Sequence, residues 1–278
     1  MANYKVYQRH DNRTAILKNK LLSHKKNNFG VGMNKFFGCE RKRLVMIKKI
    51  VTYCFSALLF GCSSSDVPQI SDQSYFPLRV GDFRIYQVNE TDILRLTCSG
   101  NGQTVRNYQL KELISDSAKN TEGSYTYTIH RYTRLDSTQP WLDLDTWTAR
   151  TNNKQVVVNE GNVPYVKFTF PLVDKTVWNI NSYNDLGKDY DTLRNFHQPY
   201  TLITGEKFQN TFSARRDSGE FIVYFDRRLE VYAPSVGLIN KEIRQLHYFN
   251  NPNDPCYGHQ VVKNGTIYLQ SLISYGHQ

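Results

Sequence analysis

From Tyr75 onward, apolar and polar positions alternate in short runs. "YVKFTF" puts Val166, Phe168 and Phe170 on one face and Tyr165, Lys167 and Thr169 on the other. "SYTYTI" alternates Tyr125, Tyr127 and Ile129 against Thr126 and Thr128, and "FIVYF", "RLEVY" and "TIYLQSLISY" continue the habit. Runs this rich in Tyr, Phe, Val, Ile and Thr, at a period of two, read as half-buried strands. Turn-forming clusters separate them: "SGNGQ", "NTEGS", "TNNK", "NEGN", "RDSGE", "NNPNDP" and "KNG". No long i, i+3, i+4 apolar stripe is present; "LKELISDSAK" could hold a helical turn or two, or end a strand. Strands without crossover helices pair antiparallel. The expected fold is all-β: a single antiparallel, strongly curved sheet of roughly eight to twelve strands, barrel or half-barrel like, with little helix.

The pattern ahead of Tyr75 is different. "MIKKIVTYCFSALLFGCSSSD", Met46 to Asp66, has a cationic head at Lys48 and Lys49, an 11-residue apolar core from Ile50 to Phe60, and small Gly61 before Cys62. That is the layout of an export signal. It resembles a bacterial lipoprotein signal, whose lipobox Leu59, Gly61 and Cys62 match, with Phe60 bulkier than usual. The resemblance implies a diacylated Cys62, cleavage before it and acylation of the new amino terminus, with several chains giving durable attachment. An uncleaved span needs more apolar length than this core offers. Residues 46–61 are thus expected as signal peptide and 62–74, small and polar, as a flexible tether; 75–278 form the globular domain. Residues 1–45 are expected to be an upstream extension or disordered, translation starting at Met46; a basic arm for nucleic acid or anionic lipid is the alternative.

Charge changes meaning once divided at Cys62. The whole chain carries +10, but residues 1–61 hold 13 Lys+Arg against 2 Asp+Glu, leaving the exported part at −1. A neutral domain has no global field for phosphates, so nucleic acid is not an expected partner. Of five cysteines, Cys98 and Cys256 remain in the domain. In an oxidising periplasm such a pair is expected as a disulfide; two separate thiols are the alternative.

"YFPLRVGDFRIY" from Tyr75 and "FTFPLVDKTVW" from Phe168 resemble each other, as a duplicated unit or as one way of entering a sheet used twice. With "YAPSVGLINKEI" from Tyr232, the first copy resembles lipoproteins common in Bacteroidota. These often open on Phe-Pro-Leu-x-x-Gly-aromatic and close on a Gly-Val-Gly-Leu-like segment and an acidic strand. Phe76, Pro77, Leu78, Gly81 and Tyr86 fit the opening, and Val236, Gly237, Leu238 and Glu242 the closing; Ser235 stands where glycine is frequent. The resemblance implies address and fold; such proteins generally carry no assigned activity.

Searches for chemistry return little. The chain has no His-Glu-x-x-His, Gly-x-Ser-x-Gly or phosphate-cradling loop, and the five histidines after Cys62 are scattered. Asp185, Asp189 and Asp191 in "NSYNDLGKDYD" offer hard oxygens around Gly187 for Ca2+, yet off the EF-hand spacing and beside Lys188; a solvated hairpin tip is the alternative. "QPWLDLDTW" puts Trp141, Asp143, Asp145 and Trp147 on one strand face, a pattern that can bind sugar rings or simply bury indoles. No catalytic residue and no cofactor beyond the covalent lipid on Cys62 is expected. The functional expectation is a non-enzymatic, ligand- or partner-binding envelope lipoprotein, held in the outer membrane through its lipid anchor and facing the periplasm. Its partner would be an envelope protein, glycan or lipid. A lipid or lipoprotein carrier and a glycan-active enzyme are the alternatives.

Overall fold

The computed structural model describes residues 70–278, apart from Glu122 and Phe221. Twelve strands follow in chain order: β1 (Asp82–Leu94), β2 (Gln103–Lys119), β3 (Tyr125–Arg134), β4 (Leu142–Thr151), β5 (Gln155–Glu160) and β6 (Val163–Thr169). Then come β7 (Val177–Asn179), β8 (Tyr190–Thr201), β9 (Lys207–Glu220), β10 (Tyr224–Ala233), β11 (Gly237–Tyr248) and β12 (Val262–His277). They make one all-antiparallel sheet ordered β6-β5-β4-β3-β2-β1-β12-β11-β10-β9-β8-β7. Two six-strand meanders therefore join where β1 meets β12, paired from Asp82↔His277 to Leu94↔Asn264 with one register shift between Ile85 and Tyr86. "LKELISDSAK" lies within β2 and is strand throughout.

The sheet curls until its two edges almost meet. Val166 N–H donates to Ile180 O at 2.9 Å, Trp178 Nε1 to Val166 O at 3.2 Å, and Asn184 Nδ2 to Pro164 O at 2.8 Å. Side chains thus cap edge carbonyls that a bare strand would leave open, and Pro164 has no N–H to leave unpaired. The result is a nearly closed barrel.

One end of the barrel is floored by the incoming chain. A 3-10 turn, Asp72–Tyr75, seats Tyr75 and Phe76 against the strands. Ser235 N–H donates to Ser74 O and Leu172 N–H to Asp72 Oδ2, both at 2.8 Å. Residues 70–74, expected as the end of the tether, are therefore part of the fold. Above them Phe168, Phe212 and Tyr232 lie with ring centres 4.9 to 5.2 Å apart. All three are fully buried, an arrangement in which both area and ring geometry favour the packed state.

The two Phe-Pro-Leu copies converge on this floor but play different parts, one as plug, the other as the turn from β6 to β7. The closing motif meets the opening one here too. A Cβ on Gly237, at φ +92°, would lie 2.8 Å from Arg84 Nη1 and 3.4 Å from Pro77, so only glycine fits. Ser235 occupies the left-handed region at φ +63°, a conformation that glycine adopts without strain.

Loops at the far end are tied by a disulfide between Cys98, in the β1–β2 loop, and Cys256, in the β11–β12 loop, across 158 residues of chain. On the flank, β8 bends where Asn195 and His197 take positive φ and its ladder to β9 shifts between Arg194 and Gln198. The bend brings Tyr200, Leu202 and Phe208 onto a second buried cluster with Val231, Ala233 and Ile239.

Candidate functional site

Above the aromatic floor the lumen is not filled. Two adjoining cavities of about 270 and 220 Å³ share a wall made by Glu160, Lys167, Glu230, Lys241 and Ile243. Strand alternation explains how charged groups arrive there. On β1, Arg84 and Glu90 share parity with buried Tyr86 and Val88; on β2, Tyr108 and Glu112 share parity with buried Leu110 and Ile114. Lys167 arrives differently. The β5–β6 register runs Val156↔Phe168 then Val157↔Val166, so Lys167 is the extra residue of a bulge. Period-two reading had set it opposite Phe168; the bulge turns it into the lumen.

The shared wall is a closed square of charge. Lys167 Nζ donates to Glu230 Oε1 at 2.7 Å and to Glu160 Oε1 at 3.0 Å. Lys241 Nζ lies 3.2 Å from Glu230 Oε1 and 4.0 Å from Glu160 Oε2. Tyr232 OH donates to the remaining Glu230 oxygen at 2.6 Å. Burial opposes ionisation of Glu230 and Glu160, but the ammonium groups of Lys167 and Lys241 outweigh it and hold both below the usual carboxylate range. Burial likewise opposes the charge on Lys167, and the two glutamates outweigh that, holding it well above the usual lysine range. The Tyr232 phenol is pushed up by burial and then by Glu230.

A second group of charges is looser. Glu112 lies between Arg84 and Arg131, its oxygens 3.7 and 3.8 Å from their Nε atoms. Arg131 also binds both oxygens of Asp145, at 3.0 and 2.9 Å, and sits 3.6 Å from the centre of the Trp147 ring. Arg84 Nε, Arg131 Nε and Gln270 Nε2 are buried without a hydrogen-bond partner. In the smaller cavity, Arg216 faces Asp189 at 2.6 Å and Asp191 at 3.4 Å. Burial pushes the Asp191 carboxyl up to about 6 against the pull of Arg216.

These facts sort the residues expected from sequence. Trp147 lines the larger cavity and Asp145 holds its indole N–H at 3.2 Å, so this half of "QPWLDLDTW" belongs to the site. Trp141 instead stacks on Arg134 at 4.1 Å, and Asp143 is exposed on β4; neither lines the cavity. The shared face breaks because the β3–β4 register shifts between Arg131 and Tyr132. Asp185 is exposed, while Asp189 and Asp191 face the Arg216 guanidinium where a metal ion would sit. Among the described residues no three His, Cys, Asp or Glu side chains gather as metal ligands. The loop is shaped instead by amides, Asn181 Nδ2 donating to Gly187 O at 2.8 Å. Cys98 and Cys256 are bonded. Cys62 and its signal lie outside the described residues.

Sequence reasoning missed Arg84, Glu112, Lys167, Glu230 and Lys241. A signal existed: a strand face mixing Arg, Tyr, Val and Glu suits neither a dry core nor open solvent.

Comparison with descriptions of protein families, with curated proteins and with solved structures gives no match. The fold and lumen by themselves define the class: a single-sheet antiparallel β-barrel with an aromatic floor and an ion-paired chamber.

Proposed function

We propose that this chain is an envelope lipoprotein, anchored through acylated Cys62, whose barrel holds a small polar ligand without transforming it. The observation that carries the reading is the unfilled lumen, about 270 Å³ in its larger part, walled by ordered ion pairs and aromatic rings above a closed floor. A chamber of this kind, apolar patches with a few placed polar groups, is where small ligands bind. Its lining sets six cations against six carboxylates across both cavities, a balance that suits a neutral or singly charged guest rather than a polyanion. An acyl chain fits poorly, because it would desolvate Arg84, Glu112 and Lys167 without pairing them. Glycosidic chemistry is also poorly supported, since Asp145 is committed to Arg131.

Export is supported by the lipobox at Leu59–Cys62 and by the disulfide, which suits an oxidising compartment. The described fold starts at Ile70, close behind Cys62 in sequence, with Ile70 packed on the floor cluster.

Native mass spectrometry of the protein purified from its own envelope tests both parts. Expected are a mass beginning at an acylated Cys62 and a non-covalent small-molecule adduct. A full-length chain with a bare Cys62 thiol would overturn the anchor, and an adduct-free barrel would overturn the ligand.

A further inference from the structure

The two charge groups in the lumen differ in completeness, and the difference points to a ligand. In the Lys–Glu square, two cations face two carboxylates at distances down to 2.7 Å. In the Arg84–Glu112–Arg131 group, two guanidiniums share one buried carboxylate that neither reaches within hydrogen-bonding distance. Asp145, the other partner of Arg131, has a side chain 41% exposed and is screened by water. Arg84 is 5% exposed, and its Nη1 donates only to a carbonyl, Val236 O, at 3.2 Å.

Gln270, 3% exposed, supplies an independent sign. Its Oε1 accepts from Tyr268 OH at 2.7 Å, while its Nε2 is buried without an acceptor. Arg84, Arg131 and Gln270 line the same larger cavity. Buried donors without acceptors are rare in folded proteins, and three on one wall call for an acceptor from outside the chain.

Resting on the lumen reading above, we propose that the larger cavity takes a compact organic monocarboxylate. Its carboxylate completes a two-against-two quartet with Arg84, Arg131 and Glu112, matching the neighbouring square, and Gln270 adds a neutral donor. Its body lies against Ile129, Trp147, Val158, Leu238 and Ile243. The volume equals about nine waters at roughly 30 Å³ each, room for a single ring with a short side chain.

Isothermal titration of the full-length chain with 3-phenylpropionate, 3-phenylpropionamide and 3-phenylpropylamine isolates the head group on a constant body. The carboxylate is expected to bind about tenfold tighter than the amide, or more, since its hydrogen bonds are charge-assisted, and the amine not at all. Arg84→Met should erase that preference. Gln270→Leu, which removes no charge and is safer for folding, should weaken carboxylate binding about threefold to tenfold and amide binding less, since the amide carbonyl accepts from the same donor without charge assistance. Amide or amine binding as tight as the carboxylate overturns the carboxylate assignment and leaves the lumen reading standing. Failure of all three overturns the assignment too, the lumen reading being judged separately by the retained adduct in the native mass spectrum.

Discussion

The floor and the chamber above it are built on the same strands to opposite rules. Phe168 on β6 and Tyr232 on β10 close the floor by ring contact, while Lys167 and Glu230, one and two residues away, meet as ions. The floor has the close contact of an organic crystal and gains its stability from area removed from water. The chamber holds void and desolvated charge, which a structure maximising stability would replace by hydrocarbon of similar volume. The contrast teaches that one end of the barrel holds the fold while the middle has been kept open and polar at a cost. A ligand is the simplest return on that cost.

Changes to the two regions should separate accordingly. The largest effect is expected at the floor: Phe168→Ala empties the centre of four ring contacts and should cost about 4–5 kcal/mol, read by urea denaturation. In the chamber, Lys167→Met leaves Glu160 and Glu230 facing Lys241 alone and should cost about 3–4 kcal/mol at neutral pH. Its signature is pH dependence. Both glutamates are held below their ordinary range, so in the native protein their stabilisation is present above about pH 4.5 and fades as the pH falls below it. In Lys167→Met that stabilisation is absent, and the gap between variant and wild type should narrow on acidification; a gap constant with pH would break the contrast between ionic chamber and apolar floor.

Intermediate effects belong to the far end. Cys98→Ser with Cys256→Ser should cost about 2–4 kcal/mol. Hydrogen exchange should then accelerate in the β1–β2 and β11–β12 loops before it does around Phe168. Asp191 has the opposite sign to Glu230. Its carboxyl is pushed up to about 6, so its ionisation costs stability as the pH rises from about 4 through 6. Asp191→Asn should flatten the stability curve over that window, matching wild type at about pH 4 and exceeding it at neutral pH by about 2–3 kcal/mol, with Asp189 still meeting Arg216 at 2.6 Å. Smallest is Ser235→Gly, which relieves the left-handed backbone and should stabilise by about 0.5 kcal/mol in thermal melts.

The floor was far more legible in sequence than the chamber. Alternation in "YVKFTF" put Val166 and Phe168 on a core face, and both are buried. The antiparallel curved sheet followed from turn spacing and the lack of helical periodicity, and the two motifs that meet at Gly237 were visible as motifs. The chamber stayed hidden because a charged residue in a strand reads as solvent-facing unless the closure of the sheet is known. Lys167 was further disguised by its bulge, which no alternation rule anticipates. In "QPWLDLDTW" Asp145 and Trp147 keep a shared face, while the register shift near Tyr132 separates them from Asp143 and Trp141. In the acidic loop the partner of Asp189 and Asp191, Arg216, is distant in sequence, so their pairing was not legible there.

The most direct test fills the chamber. Ile243 lines both cavities, so Ile243→Phe adds volume to void instead of to packed core. If the middle of the barrel is a ligand chamber, the variant keeps its melting temperature within a few degrees, as roughly 1 kcal/mol or less would allow, and loses the small-molecule adduct in native mass spectra. A collapse in stability on the scale of Phe168→Ala, with the adduct undiminished, would show that the middle is core and that the guest, if any, sits elsewhere.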